Sequence, residues 1–276
     1  MSMQQGLQEQ SISHLELKTL QFTGFVYMLK AVLFDLDNTL IFYDELKFAA
    51  MFFPGVAVHF ADLIPEGKFA ERLMAATLTA HKNDGSVTNR ELFVSEFIRG
   101  TNLIPAEVWQ RFQQYYDGDF DNVKQLVHAP GNARQVLESI HDRNLKVVIA
   151  TNPILPFNAQ LKRLSWAGLD GFPFDLVTHI ENMSFCKPQL GYYRQVCDLI
   201  GEKPENCLMV GDDPANDMVV AKIGMKTFQT VDSLKHSEKP LEFSKQVIGN
   251  DTDGIPPADF EGPLACVTEA VESLLY

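Results

Sequence analysis

Five short apolar runs constrain this chain more than any other feature of its sequence. They occupy residues 31–35, 146–151, 174–178, 207–211 and 226–229. Each is a near-continuous hydrophobic stretch rather than an alternating one, the pattern of a strand covered on both faces. Between them, Ala133, Val136, Leu137 and Ile140 recur at helical spacing, as do Tyr192, Tyr193, Val196, Cys197 and Ile200. Alternating strands and helices predict an α/β fold, a parallel sheet with helices on both sides.

Residues 45–125 interrupt that rhythm. Leu73, Met74, Thr77 and Leu78, then Leu92, Phe93 and Phe97, then Val108, Phe112 and Tyr115 all repeat as helices do, and no strand pattern lies among them. Pro54-Gly55, Asn83-Asp84-Gly85 and Pro105 read as turns between these helices. The expected organisation is an α/β core from 28–44 and 126–276, with an all-α module inserted at 45–125. Residues 231–262 read as a long surface loop before a final helix. Residues 1–27 lack the basic start and apolar stretch of a signal peptide and read as a poorly ordered extension, with Met28 a candidate start.

Charge narrows the partners. A formal net charge of −13 argues against nucleic acid polymers, which call for a basic surface. It leaves room for a small anion, because a metal or one lysine reverses the field locally. No apolar run approaches the roughly 18–20 residues of a membrane helix. Cys186, Cys197, Cys207 and Cys266 form no Cys-x-x-Cys pair and sit within apolar patterns, as reduced thiols of a cytoplasmic protein do.

In an open parallel sheet, ligands bind beyond the carboxyl ends of the strands. Those ends carry Asp35, Asp37 and Thr39 after the first run, Thr151 and Asn152 after the second, and Asp212, Asp213 and Asp217 after the fourth. A lone aspartate after a strand is usually a cap or turn residue; three polar clusters after three strands exceed what capping needs. Pro214 stands where a helical turn would begin, which would bring Asp213 and Asp217 onto one helix face. Two like charges 4 Å apart repel by about 4 kcal/mol at an effective dielectric of 20. A cluster of Asp35, Asp37 and Asp212 therefore calls for a hard cation such as Mg²⁺, or for a proton on one acid, or for both. None of the seven histidines falls in a paired metal spacing, and His81 is marked only as a contact within the inserted helices.

The stretches "DLDNTL", "VVIATNP", "FCKPQ" and "VGDDPAND" resemble, in order and spacing, the four signature motifs of the haloacid dehalogenase-like hydrolase superfamily. The resemblance covers about residues 30–230. It implies a Rossmann-like core with a helical C1-type cap and a Mg²⁺-dependent phosphatase acting on a small phosphomonoester. It casts Asp35 as nucleophile, Asp37 as acid and base, and Thr151 and Lys187 as catalytic groups that hold the phosphoryl oxygens and neutralise their charge. Thr39 and Asn152 are expected beside the phosphate. Asp35, Asp212 and the Asp37 carbonyl would bind the metal, with Asp213 and Asp217 in support.

Rivals remain. Dehalogenases of this type lack the second acid of the first motif, and Asp37 is present. Phosphomutases and phosphonatases keep it. A phosphonatase would need a lysine from the insert, and Lys47, Lys68 and Lys82 are the candidates. A catalytically silent binding relative is the alternative from another class.

Overall fold

The computed structural model describes residues 28–65, 67–232 and 254–275. The expected extension 1–27 and most of the expected loop 231–262 lie outside these described residues.

Six strands form one sheet: β1 (Ala31–Phe34), β2 (Lys146–Ile149), β3 (Leu176–Val177), β4 (Cys207–Gly211), β5 (Lys226–Thr230) and β6 (Phe260–Gly262). Their order is β3-β2-β1-β4-β5-β6, and every pair is parallel. This is a doubly wound, Rossmann-like α/β sheet, as expected. Its order reverses at β1, so the crevice opens beyond the end of that strand.

The central strands β1, β2 and β4 are almost wholly apolar because both faces are covered. Val32, Phe34, Val147, Ile149, Leu208 and Val210 pack on one side against α5 (Ala133–His141) and α8 (Val267–Leu275). Ala31, Leu33, Val148, Cys207 and Met209 pack on the other against α7 (Leu190–Ile200). The period-two alternation of a strand sends successive residues into two different cores. α6 (Phe157–Trp166) follows β2. The sixth strand corrects the reading of 231–262 as loop alone: Phe260–Gly262 is too short to announce itself, and only its pairing with β5 makes it a strand.

Between β1 and β2 lie α1 (Glu45–Val58), α2 (Phe69–His81), α3 (Asn89–Phe97) and α4 (Pro105–Asp117), then a 3₁₀ segment, Asp119–Leu126. No strand occurs among the described residues of this stretch. Local chemistry sets the helix starts. The Asp44 side chain accepts from the Lys47 N–H, and Thr88 with Glu91 forms a capping box. Pro105 opens α4 as its first residue rather than marking a turn before it. Pro54-Gly55 is likewise not a turn: α1 runs through both. Tyr115 packs so close to Gly55 that a methyl group there would lie 3.1 Å from its ring, a tertiary contact that sequence propensity does not register.

The insert has an aromatic core of its own. Phe60, Phe69, Phe93 and Phe112 surround Phe97 with ring centroids 4.7–6.1 Å apart in this group. Its entry and exit are tied together where Phe42 and His128 exchange backbone hydrogen bonds of 2.7 and 2.8 Å. No described helix is long and apolar enough to cross a membrane.

Phe97 is fully buried at the centre of that cluster. Phe97→Ala is expected to lower stability by ~3–5 kcal/mol, read as a lower urea midpoint with an unchanged slope. A shift below ~1 kcal/mol would show that the rings do not pack as described.

Candidate active site

β1 lies between β2 and β4, with Phe34 in register with Ile149 on one side and Val210 on the other. The next residues of all three strands therefore leave the sheet at one level. The Asp35 N–H still donates to the Val210 carbonyl at 2.8 Å, so Asp35 is held by the last rung of the ladder. Beyond it the chain reverses. The Leu36 carbonyl accepts from Leu40 and Ile41 N–H groups, and Asn38 adopts φ +57°. Asparagine tolerates that left-handed conformation better than most residues.

At the bottom of the crevice Lys187, buried in the loop before α7, donates from Nζ to Asp35 Oδ1 and to Asp217 Oδ1, each at 2.7 Å. Carboxylate oxygens of Asp35, Asp212 and Asp217 lie within 4.8 Å of one another. One ammonium among three acids leaves negative charge in excess. Burial pushes the Asp35 carboxyl up to about 8, with Asp217 and Asp37 adding to the rise and Lys187 opposing it. Burial and the charges of Asp35, Asp217 and Asp213 push Asp212 up to about 9. Burial also raises Asp217. Burial alone would weaken the Lys187 ammonium, but Asp217 and Asp35 outweigh it and hold that group well above the ordinary lysine range. Three hard oxygen donors that shed an excess of negative charge suit a divalent cation.

The turn that carries Asp217 differs from expectation. Residues 213–217 make one turn, closed by the Asp217 N–H donating to the Asp213 carbonyl at 2.7 Å, and a 3₁₀ segment (Met218–Ile223) follows. No α-helix starts at Pro214, so Asp213 and Asp217 do not share a helix face. Asp213 caps the turn, accepting from Ala215 N–H, Asn216 N–H and Asn216 Nδ2. Asp217 turns inward to Lys187 and joins the acidic cluster instead of only supporting it. Gly211 permits this, since a methyl group there would overlap the Asp217 carboxylate.

Asp37 is held by its neighbours. Its Oδ1 accepts from Tyr43 Oη at 2.6 Å and from Arg163, and Thr151 Oγ1 lies 3.5 Å from its Oδ2. Arg163 was missed. It stands on the buried face of α6 with Ala159, Gln160 and Leu164, and a charge at such a position was the signal available. The crevice brings Asp35, Asp37, Asn152, Lys187, Asp212, Asp213 and Asp217 to one cavity. Thr39 and Thr151 are fully buried and are not among the residues lining it. The candidate lysines of the insert are elsewhere too: Lys47 pairs with Asp44, Lys68 pairs with Glu71, and neither these nor Lys82 lines the cavity.

Comparison with known proteins adds a family. Residues 29–223 match the model of the haloacid dehalogenase-like hydrolases. Pyrophosphatase PpaX of Halalkalibacterium halodurans is 24% identical over 199 residues, spanning 72% of this chain and 82% of that protein. A HAD phosphatase from Thermococcus onnurineus matches with a TM-score of 0.51 at 20% identity, over 88% of this chain and 98% of its own. A 2-haloacid dehalogenase from Pseudomonas syringae pv. Tomato matches with a TM-score of 0.55 at 17% identity, over 89% and 99%. The two solved structures share the fold.

Two outcomes follow from the acidic cluster. Asp35 titrates near 3.8 when unfolded and near 8 when folded, so the folded state holds the extra proton and loses stability as pH rises between those values. A cation that replaces the proton relieves this. The rise in Tm produced by MgCl₂ should therefore be larger at about pH 8.5 than at about pH 6; an equal rise at both would exclude these carboxylates as its source. Gly211→Ala, by displacing Asp217, should weaken Mg²⁺ binding by about 10–100-fold, measured by titration calorimetry.

Proposed function

The chain belongs to the haloacid dehalogenase-like hydrolases, and on that footing we propose that it is a Mg²⁺-dependent phosphatase of small phosphomonoesters working through an aspartyl-phosphate. The observation that carries the proposal is the buried Lys187 bridge between Asp35 and Asp217, with Asp212 beside it and Asp37 two residues further along. A carboxylate attacks a phosphate dianion only where positive charge is already in place.

In the first displacement an Asp35 oxygen forms a bond to phosphorus while the bond from phosphorus to the leaving oxygen breaks. Asp37 delivers a proton to that oxygen. In the second, Asp37 takes a proton from water, the water oxygen attacks phosphorus, and the bond from phosphorus to Asp35 breaks, releasing inorganic phosphate. One acid–base residue thus serves both halves. Tyr43 and Arg163 orient the Asp37 carboxylate, and Thr151 stands behind it. Lys187 neutralises the transferred group, and Asn152 faces the same cavity. Asp35, Asp212 and Asp217 would hold Mg²⁺ together with the Asp37 carbonyl. When bound it supplies positive charge to the phosphoryl oxygens.

Asp37 argues against dehalogenation, because a halide leaves without a proton. The absence of an insert lysine among the described cavity residues argues against a phosphonatase. The partner is a small phosphorylated metabolite, with no nucleic acid polymer and no membrane. Four cysteines outside any disulfide support a cytoplasmic setting.

Hydrolysis of p-nitrophenyl phosphate is expected to require Mg²⁺ and to vanish in Asp35→Asn. Asp37→Asn should lower kcat by about 10²–10⁴-fold with the circular dichroism spectrum unchanged. Full activity in Asp35→Asn would overturn the assignment, and accumulation of a bisphosphate in place of released phosphate would redirect it to a mutase.

A further inference from the structure

The crevice has a second half that the reacting groups do not use. A cavity of about 310 Å³ extends from the acidic cluster to α1. Glu45, Phe48, Ala49, Phe52 and Phe53 line it, and their spacing puts them on one face of that helix. An apolar helix stripe ordinarily closes against a core. Here Phe48, Phe52 and Phe53 pack against the buried cluster of the insert and yet stay partly exposed, and Leu155 lines the same space. The rings also pack on one another: Phe48 and Phe52 stack with centroids 5.7 Å apart and planes at 18°, and Tyr43 meets Phe48 at 4.8 Å.

Charge decides what fits against this wall. Among the described residues lining the cavity the cations are Lys187 and Arg163. Lys187 is ion-paired with Asp35 and Asp217, and Arg163 with Asp37. A second phosphate or a carboxylate on the substrate would find no uncommitted cation there. Two neutral residues line the cavity as well, His81 and Asn152, and His81 Nδ1 and Asn152 Oδ1 are buried with no hydrogen-bond partner among the described residues. Burial lowers the His81 imidazole to about 4, so it meets a ligand uncharged.

We propose that the substrate is a monophosphate of an uncharged alcohol bearing an aromatic ring, seated on Phe48, Phe52 and Phe53, and that phosphates carrying a second anion are excluded. This deepens the phosphatase reading and rests on it. Ring-on-ring contact and displaced water favour such a leaving group, while an unpaired anion in the same space is penalised by its lost hydration.

The test compares kcat/KM for benzyl phosphate, ethyl phosphate and phosphoglycolate with saturating Mg²⁺. Benzyl phosphate should lead phosphoglycolate by about 100-fold, the scale on which pocket contacts discriminate. Phe53→Ala should shrink the benzyl-to-ethyl ratio by about tenfold. Ala49→Lys, which supplies a cation without removing a ring, should shrink the ethyl-to-phosphoglycolate ratio by about tenfold. Phosphoglycolate turned over as well as benzyl phosphate would overturn the inference and leave the phosphatase reading intact, as would ratios unmoved in both variants. Turnover of none of the three would remove the phosphatase reading and this inference with it.

Discussion

The crevice depends on one buried ammonium. Lys187 sits between Asp35 and Asp217 with almost no exposure, and among the described residues neither acid has another cation within reach of an ion pair. A lysine suits the place because a compact point charge can donate in several directions at once. Without it, three carboxylates would share a space from which most water has been excluded, and at an effective dielectric of 20 each close pair would cost about 4 kcal/mol. With it, three carboxylates still face one ammonium, and Asp35 and Asp212 hold protons that a cation can displace. That imbalance makes the site receptive to a divalent cation and to a phosphoryl group whose charge the cation offsets.

The same economy of charge shapes the neighbouring half of the crevice. Arg163 comes from α6, beyond β2, and Asp37 from the turn beyond β1, so their pairing links two connections on the same edge of the sheet. Tyr43 extends that link to the start of α1, where the aromatic wall begins. The groups that orient the acid–base residue are therefore continuous with those that would meet the leaving group. α3 is anchored to the core loop as well, through hydrogen bonds from Asn89 and Arg90 N–H groups to Met183 and Ile180 carbonyls. The insert thus meets the core at both the entry of α1 and the start of α3.

Much of this was legible in the residues. Five of six strands followed from the sequence, and β1, β2 and β4 most plainly, because a strand buried on both faces has few polar positions to hide its pattern. Asp35, Asp37, Lys187 and Asp212 were marked by position, each standing just past a strand or in the loop before α7. What escaped were features that depend on long-range contact. Arg163 lies 126 positions from its partner Asp37. A helix was expected at Pro214; a single turn forms instead and brings Asp217 inward over Gly211. Pro54-Gly55 carries a turn signature that packing against Tyr115 overrides. Thr39 and Thr151, expected at the phosphate from the resemblance, are both buried, and Thr151 Oγ1 lies 3.5 Å from Asp37 Oδ2, a proximity that only the fold shows.

The sequence alone determined the fold class and which carboxylates stand at strand ends, because hydrophobic period and strand-end position are local properties of the chain. Only the tertiary structure decided that β1 would lie between β2 and β4, and so that acids from residues 35 and 212 and a lysine from 187 would meet. It also decided that Asp37 would be held by Arg163, and that one face of α1 would line the same cavity. Those outcomes rest on strand order and side-chain packing across more than a hundred residues, which no local pattern encodes.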